Sequence, residues 1–319
     1  MTKITERFVD AGGIRMHLAE AGSGPLVLLL HGFPESWYSW RHQLAALAEA
    51  GYHAVAPDLR GYGHTDRPDR VEDYTMLHLV GDVIGLIDAL GEQRAVVAGH
   101  DWGANVAWHT ALLRPDRVRA VAGLSVPQLF SPRPVTAPLA TMRTEIGDGF
   151  YVVYFQQPGV ADEELGRDPR ATLRRFFHSA SGEEASWQLV VPPGGGFLDT
   201  VAEPDNLPGW LTEGDLDTFT AQFEHAGFTG GVNYYRNLDR NWALLAPWRS
   251  AAVLPPALFI LGDRDVTFTW PEAKDLIAGG STVVPNQRET VVLPGCGHWT
   301  QQERPAEVNQ ALIAFLRSL

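Results

Sequence analysis

Two hydrophobic rhythms divide the chain. Phe8 to Ala11 and Ile14 to Glu20 alternate apolar and polar residues around Gly12-Gly13. That period of two marks a β-hairpin with one wetted face, which belongs at a sheet edge. From Leu26 the rhythm changes. Leu26 to Leu30, Ala54 to Ala56, Ala95 to Ala98 and Val118 to Leu124 are unbroken apolar runs, as expected of strands buried on both faces. Between them Trp40 to Glu49, Leu77 to Leu90 and Asn105 to Leu113 carry apolar residues at helical spacing. Strand and helix in alternation predict an α/β fold, a mostly parallel central sheet flanked by helices.

The alternation stops at the proline-rich connector Ser131-Pro-Arg-Pro-Val-Thr-Ala-Pro and resumes at Ala257 to Leu261. The stretch between is rich in aromatic residues, with helix-like patches at Leu173 to Ser179 and Leu216 to Ala226, parted by Pro and Gly loops such as Pro192-Pro-Gly-Gly-Gly. An insertion placed after a sheet strand lies over the strands' carboxyl ends, where open α/β sheets bind ligands. It is therefore read as a helical cap. A helix at Pro271 to Ile277, a strand at Glu289 to Leu293 and a helix at Pro305 to Leu316 complete the chain. Residues 1–130 and 248–319 are expected to form the core domain and residues 131–247 the cap.

Composition narrows the function classes. The 319 residues are 45% apolar and 20% charged, enough for a large core. With 25 basic against 38 acidic side chains the net charge is -13, which repels nucleic acid and anionic membrane surfaces alike. Cys296 is the one cysteine, so no disulfide forms within the chain; it reads as a small buried hydrophobe in a reducing compartment. Charges interrupt the first twenty residues, and no apolar run approaches the ~20 residues of a membrane span. The expectation is a cytoplasmic protein with no membrane partner, for which a homodimer is compatible. Gly194-Gly195-Gly196 lacks the lysine and hydroxyl of a phosphate loop, and no His, Cys and carboxylate spacing suits a metal. No cofactor is required.

The chemistry-bearing signal is Gly99-His100-Asp101-Trp102-Gly103, between a buried strand and a helix. It has the context of a nucleophile elbow, with aspartate where serine is usual; a plain helix cap at Asp101 is the alternative. A carboxylate of reference pKa about 3.9 needs no base to be nucleophilic and can displace a leaving group from saturated carbon. Water must then attack the resulting ester, and that second step calls for a histidine. His298, in Gly295-Cys-Gly-His-Trp299 between the last strand and the last helix, has the place for it, whereas His31, His64 and His100 lie at other loop positions. Asp265 is chosen as its orienting acid, with Asp263 as the alternative, and Leu124-Ser-Val-Pro127 offers no carboxylate after the preceding strand. His31-Gly-Phe-Pro34 ends the first buried parallel strand. The amides of Phe33 and Trp102 could there face an oxyanion, or the segment could simply be a strand-ending turn.

The runs HGFPESWYSWR (31–41), PDLRGYGHTDRP (57–68), GHDWG (99–103), YFQQPGVA (154–161), NYYRN (233–237) and GCGHWTQQERPAEVNQ (295–310) resemble the soluble epoxide hydrolases of the α/β-hydrolase superfamily. The likeness spans almost the whole chain, but without the N-terminal phosphatase domain of the mammalian enzymes. It implies an α/β-hydrolase fold with a cap and two catalytic tyrosines, Tyr151 and Tyr235, whose phenols protonate the epoxide oxygen. Tyr154 and Tyr234 are their neighbours, the latter standing where Trp is frequent. His31, Pro34, Trp102, Tyr154, Tyr234 and Trp299 are expected to contact a small apolar epoxide, and Asp58 to sit in a turn with local charge pairing. The implied reaction is epoxide to vicinal diol. A haloalkane dehalogenase using the same Asp101, His298 and Asp265 is the alternative, and a ligand-binding protein without turnover the third reading.

Overall fold

The computed structural model describes residues 3–128, 136–184, 186–279 and 281–319. Most of the proline-rich connector, and with it the expected boundary at 131, lies outside the described residues. Among those described, β1 (Thr5–Asp10), β2 (Arg15–Ala21), β3 (Leu26–Leu30), β4 (His53–Pro57), β5 (Ala95–His100), β6 (Val118–Leu124), β7 (Ala257–Gly262) and β8 (Gln287–Leu293) form one sheet. Their order is β1-β2-β4-β3-β5-β6-β7-β8. The predicted hairpin is the antiparallel β1-β2 pair at the edge, β2 runs antiparallel to β4, and every later pairing is parallel.

The helices are α1 (Arg41–Glu49), α2 (Met76–Ala89), α3 (Trp102–Leu113), α4 (Pro138–Glu145), α5 (Tyr151–Tyr154), α6 (Val160–Gly166), α7 (Pro169–Ser179), α8 (Glu213–Ala226), α9 (Thr229–Arg236), α10 (Leu238–Leu244), α11 (Pro271–Ile277), α12 (Thr300–Glu303) and α13 (Pro305–Arg317). Strand pleating decides which helix each side chain meets. Leu26, Leu28 and Leu30 point into a core shared with Leu79, Val83 and Leu86 of α2 and Val106 of α3. Val27 and Leu29 point the other way, onto Leu44 and Leu47 of α1 and Leu312 and Phe315 of α13. Each such side chain contributes roughly 1.5–3 kcal/mol on burial. Helix α3 starts at Trp102, before the expected Asn105, because it is buried on every side and its first turn has no polar face to announce it.

Helices α4 to α10 all fall between β6 and β7. Specific polar contacts dock them on the sheet's carboxyl side. Tyr234 Oη donates to Arg60 O (3.0 Å), and Asn241 Oδ1 accepts from the Met76 amide (2.7 Å). At the far side Asp215 accepts from Tyr38 Oη (3.0 Å) and pairs with Arg41 (3.1 Å). Asp58 corrects the expectation of a local turn: it is fully buried, holds the ring of His17 at 2.8 Å across 41 positions, and accepts from the amides of Trp37 and His64. Cys296 is buried as read.

The Arg60 that receives Tyr234 is itself locked by a two-pronged pair to Asp82 of α2, with Nε at 2.8 Å and Nη2 at 2.6 Å. Both side chains are buried. Removing the acid strands a buried guanidinium, so Asp82→Ala is expected to cost about 3–5 kcal/mol. A shifted denaturant midpoint at unchanged slope would report it. Arg60→Met with Asp82→Leu should recover most of the loss.

Candidate active site

The chain leaves β5 through a turn that is sterically forced. Asp101 sits at φ 52°, a conformation uncommon for a non-glycine residue. The strand and α3 press so closely that a β-carbon on Gly99 would lie 2.1 Å from Gly103 O, and one on Gly103 2.1 Å from Leu30 O. The two glycines therefore allow the bend that thrusts Asp101 out beyond the sheet. Its carboxylate is gripped from one side, where the Phe33 amide donates to Oδ1 at 2.8 Å. Trp102 opens α3 directly after Asp101, and a first-turn amide has no partner within its own helix. Of the two amides expected at an oxyanion, that of Phe33 meets the carboxylate directly.

On the other side the ring of His298, in the loop between β8 and α12, approaches with Nε2 3.6 Å from Asp101 Oδ2. Its Nδ1 lies 3.0 Å from Asp265 Oδ2, beyond β7. Asp263 faces away and takes the Gly295 amide (2.7 Å) in a turn. Burial alone would push the carboxyls of Asp101 and Asp265 up and the imidazole down. Mutual attraction prevails: His298, His100 and the Phe33 amide hold Asp101 below the ordinary carboxylate range, and His298 with the Thr267 amide does the same for Asp265. Placed between two carboxylates, His298 is raised well above an ordinary histidine.

Behind this row lies a layer the sequence reading passed over. Glu35 is fully buried yet accepts from the Gly32 amide (2.9 Å), from Gln301 and Gln302 (3.0 Å each), and meets His100 Nδ1 at 2.7 Å. His100 Nε2 reaches His298 O at 2.7 Å, and Ser125 Oγ donates to the same oxygen at 2.7 Å. His100, read only as a competitor, is thus a strut of the histidine loop. The available hint was Glu35 itself, an acid inside the otherwise apolar and aromatic run HGFPESWYSW.

Tyr151 from α5 and Tyr235 from α9 lie together above Asp101, ring centroids 6.0 Å apart. Tyr235 also packs edge-on against Trp102 (5.0 Å) and Phe33 (5.7 Å). Burial, with the nearby Asp101 charge, pushes both phenols well above the ordinary tyrosine range. The structure brings together five of the residues singled out as catalytic.

The expected substrate contacts fare differently. Trp102 does face Tyr235, and Pro34, joined to Phe33 by a cis peptide, is buried beside the elbow. The other four have their polar groups taken up by the scaffold. His31 bonds Gly32 O (2.9 Å) and the Leu59 amide (3.0 Å), and Tyr154 Oη donates to Glu164 (2.8 Å). Tyr234 is spent on Arg60, and Trp299 Nε1 donates to Phe177 O (3.0 Å). Tyr234 and Tyr235 are successive helical positions about 100° apart, so only one of them can face Asp101. A cavity of about 310 Å³ opens beside His298 and Asp265, walled by Trp187, Val266 and Thr269 among others. Trp187 in turn touches Tyr151, with centroids 5.0 Å apart. Among the described residues no group of three or more His, Cys, Asp or Glu is placed to hold a metal ion.

This geometry has relatives. The sequence model of the family described as "alpha/beta hydrolase fold" matches residues 25–305. Epoxide hydrolase A of Mycobacterium tuberculosis is 45% identical across 99% of this chain and 98% of its own length. Epoxide hydrolase 1 of Siraitia grosvenorii is 46% identical across 99% of each. The crystal structure of epoxide hydrolase A from Mycobacterium thermoresistibile superposes with a TM-score of 0.92 at 48% identity, covering 99% of both chains. Because the similarity runs through sheet, insertion and histidine loop alike, the chain belongs to the α/β-hydrolase fold family and, within it, to the epoxide hydrolases.

Proposed function

We propose that the protein converts epoxides to vicinal diols through an ester on Asp101. Oδ2 attacks a ring carbon from the side away from the C–O bond that breaks, while the departing oxygen takes a proton from Tyr151 or Tyr235. An alkoxide is more basic than even a buried phenolate, so that transfer runs downhill. The ester formed is attacked by water at Cγ of Asp101, with the water's proton passing to His298 Nε2. Negative charge then gathers on Oδ1, facing the amides of Phe33 and Trp102. The resting imidazolium gives its proton to the phenolate and regains one from the water, while the water's second proton goes to the leaving alkoxide, so that collapse frees the diol and the carboxylate. The sum is epoxide plus water.

The observation that carries this reading is the location of His298 between two carboxylates, one of which the first step neutralises. Before reaction Asp101 and Asp265 both favour the imidazolium. Esterification removes the Asp101 charge, so the imidazole becomes easier to deprotonate just when a base is required. A halide leaving group, the alternative, would need no proton, whereas the two phenols paired above Asp101 are the donors that an alkoxide requires. The aromatic walls, Phe33, Phe155 and Trp187 among them, suit an apolar epoxide. We place the reaction in the cytoplasm, where the buried thiol of Cys296 needs no oxidised partner. Among the described residues no helix is long and apolar enough to cross a membrane.

A panel of aromatic and aliphatic epoxides should yield diols, and release of halide from haloalkanes at a higher rate would reverse the assignment. Asp101→Asn should lower turnover at least about 10³-fold once deamidation is excluded. Tyr151→Phe and Tyr235→Phe should each slow ester formation roughly tenfold, and together about 10²–10⁴-fold, leaving ester hydrolysis near the parental rate. The two steps should also titrate apart. Ester formation needs ionised Asp101, held low, and protonated phenols, held high, so its single-turnover rate should stay flat from below pH 5 to beyond the ordinary tyrosine pKa of about 10. Hydrolysis needs neutral His298 and should rise with pH, through a midpoint below that of His298 in the free enzyme. A hydrolysis rate that declines as pH rises through neutrality would contradict the assigned base.

A further inference from the structure

The insertion meets the histidine loop at a buried carboxylate that the reaction leaves unused. Glu303 closes α12 and is nearly inaccessible. Its Oε1 accepts from the Trp299 amide at 3.0 Å. Its Oε2 accepts from the amides of Gly297 and Gly182, both at 2.9 Å. Gly297 and Trp299 flank His298, whereas Gly182 lies 121 positions away in the loop that follows α7. Capping a short helix would engage Trp299 alone, so the bond to Gly182 is what asks for an explanation.

The two loops interlock tightly around it. A β-carbon on Gly297 would come within 2.2 Å of Gly182 N, and one on Gly182 within 2.5 Å of Gly295 O. The His298 amide donates to Ala180 O (2.9 Å), and Arg264 Nη1 to Gly182 O (2.7 Å). The tyrosines are held by other contacts: Gln156 Nε2 donates to Tyr235 O (3.1 Å), and Arg236 Nε to Phe155 O (3.0 Å). Only the histidine's side of the site runs through Glu303. A water must be seated between His298 Nε2 and the carboxyl carbon of Asp101, with Nε2 and Oδ2 already 3.6 Å apart. Displacement of that ring by even 1 Å costs roughly 10²-fold.

We propose that Glu303 is a positioning residue for the second half-reaction: by binding the histidine loop to the insertion it fixes His298 for ester hydrolysis, and it does not serve ester formation. The inference rests on the two-step reading given above. Glu303→Gln tests it, since the amide has one accepting oxygen instead of two and turns an NH₂ group toward N–H donors. The expected result is a fall in kcat of about 10- to 100-fold with KM falling in proportion, so that kcat/KM stays within about threefold of the parent. Rapid quenching and peptide mass analysis should then find most of the enzyme esterified at Asp101 during turnover. Gly182→Ala leaves the carboxylate in place but forces the loops apart, and should give the same pattern; it carries the test alone if the glutamine variant does not fold.

A mere structural defect would lower the amount of active enzyme, with KM unchanged and no build-up of ester. That outcome overturns the proposal, as does a folded variant with parental kcat or one whose kcat/KM falls as far as kcat. Should the parent enzyme form no ester on Asp101 at all, the two-step reaction fails and this role fails with it. An ester seen in the parent, with variants that do not accumulate it, removes the role of Glu303 alone.

Discussion

Two carboxylates share one imidazole at the carboxyl edge of the sheet, and the rest of the structure can be read as the means of keeping them there. Asp101 and Asp265 would repel one another, and desolvation would neutralise both, were His298 not held within reach of each. The arrangement is stable as long as both acids are ionised, and the proposed esterification of Asp101 would remove one of its supports. In the proposed reaction, a change in the charge of one side chain switches the histidine from cation to base.

Holding three charged groups at such distances requires anchors of very different sequence separation. Asp101 is placed by the steric fit of Gly99 and Gly103 at the end of β5, Asp265 by the end of β7, and His298 by a loop whose carbonyl is tied to His100 and Ser125. Parallel strands deliver all of these to one edge, which is why the same edge can also be roofed by the insertion carrying Tyr151 and Tyr235. The insertion is fastened on both flanks, through Tyr234 and Asn241 at one and through Gly182 and Asp215 at the other.

Much of this was legible in the sequence, and the boundary of legibility has physical causes. Strands buried on both faces write themselves as unbroken apolar runs, so the parallel core and the elbow after β5 could be placed closely. Asp265 was preferred to Asp263 in the segment after β7, and it is Asp265 whose Oδ2 lies 3.0 Å from His298 Nδ1. Tyr151 and Tyr235 came from the family resemblance, since nothing in the periodicity of a short aromatic helix says which ring faces inward. For the same reason Tyr154, Tyr234, His31 and Trp299 were expected at the substrate and were found bonded to the scaffold. Glu35 and Glu303 escaped altogether, and Asp58 was read only as a turn residue: an acid is normally taken for surface, and only folding shows that backbone amides, glutamines or histidines gather around these three.

The claim on which the account turns is that the substrate becomes covalently attached to residue 101. A His298→Gln enzyme mixed with an epoxide, quenched and digested, should yield the peptide bearing Asp101 heavier by one whole substrate molecule, with the label lost on prolonged incubation far more slowly than the parent turns over. Unmodified peptide at every time point, from a preparation whose parent form consumes the epoxide, would contradict it.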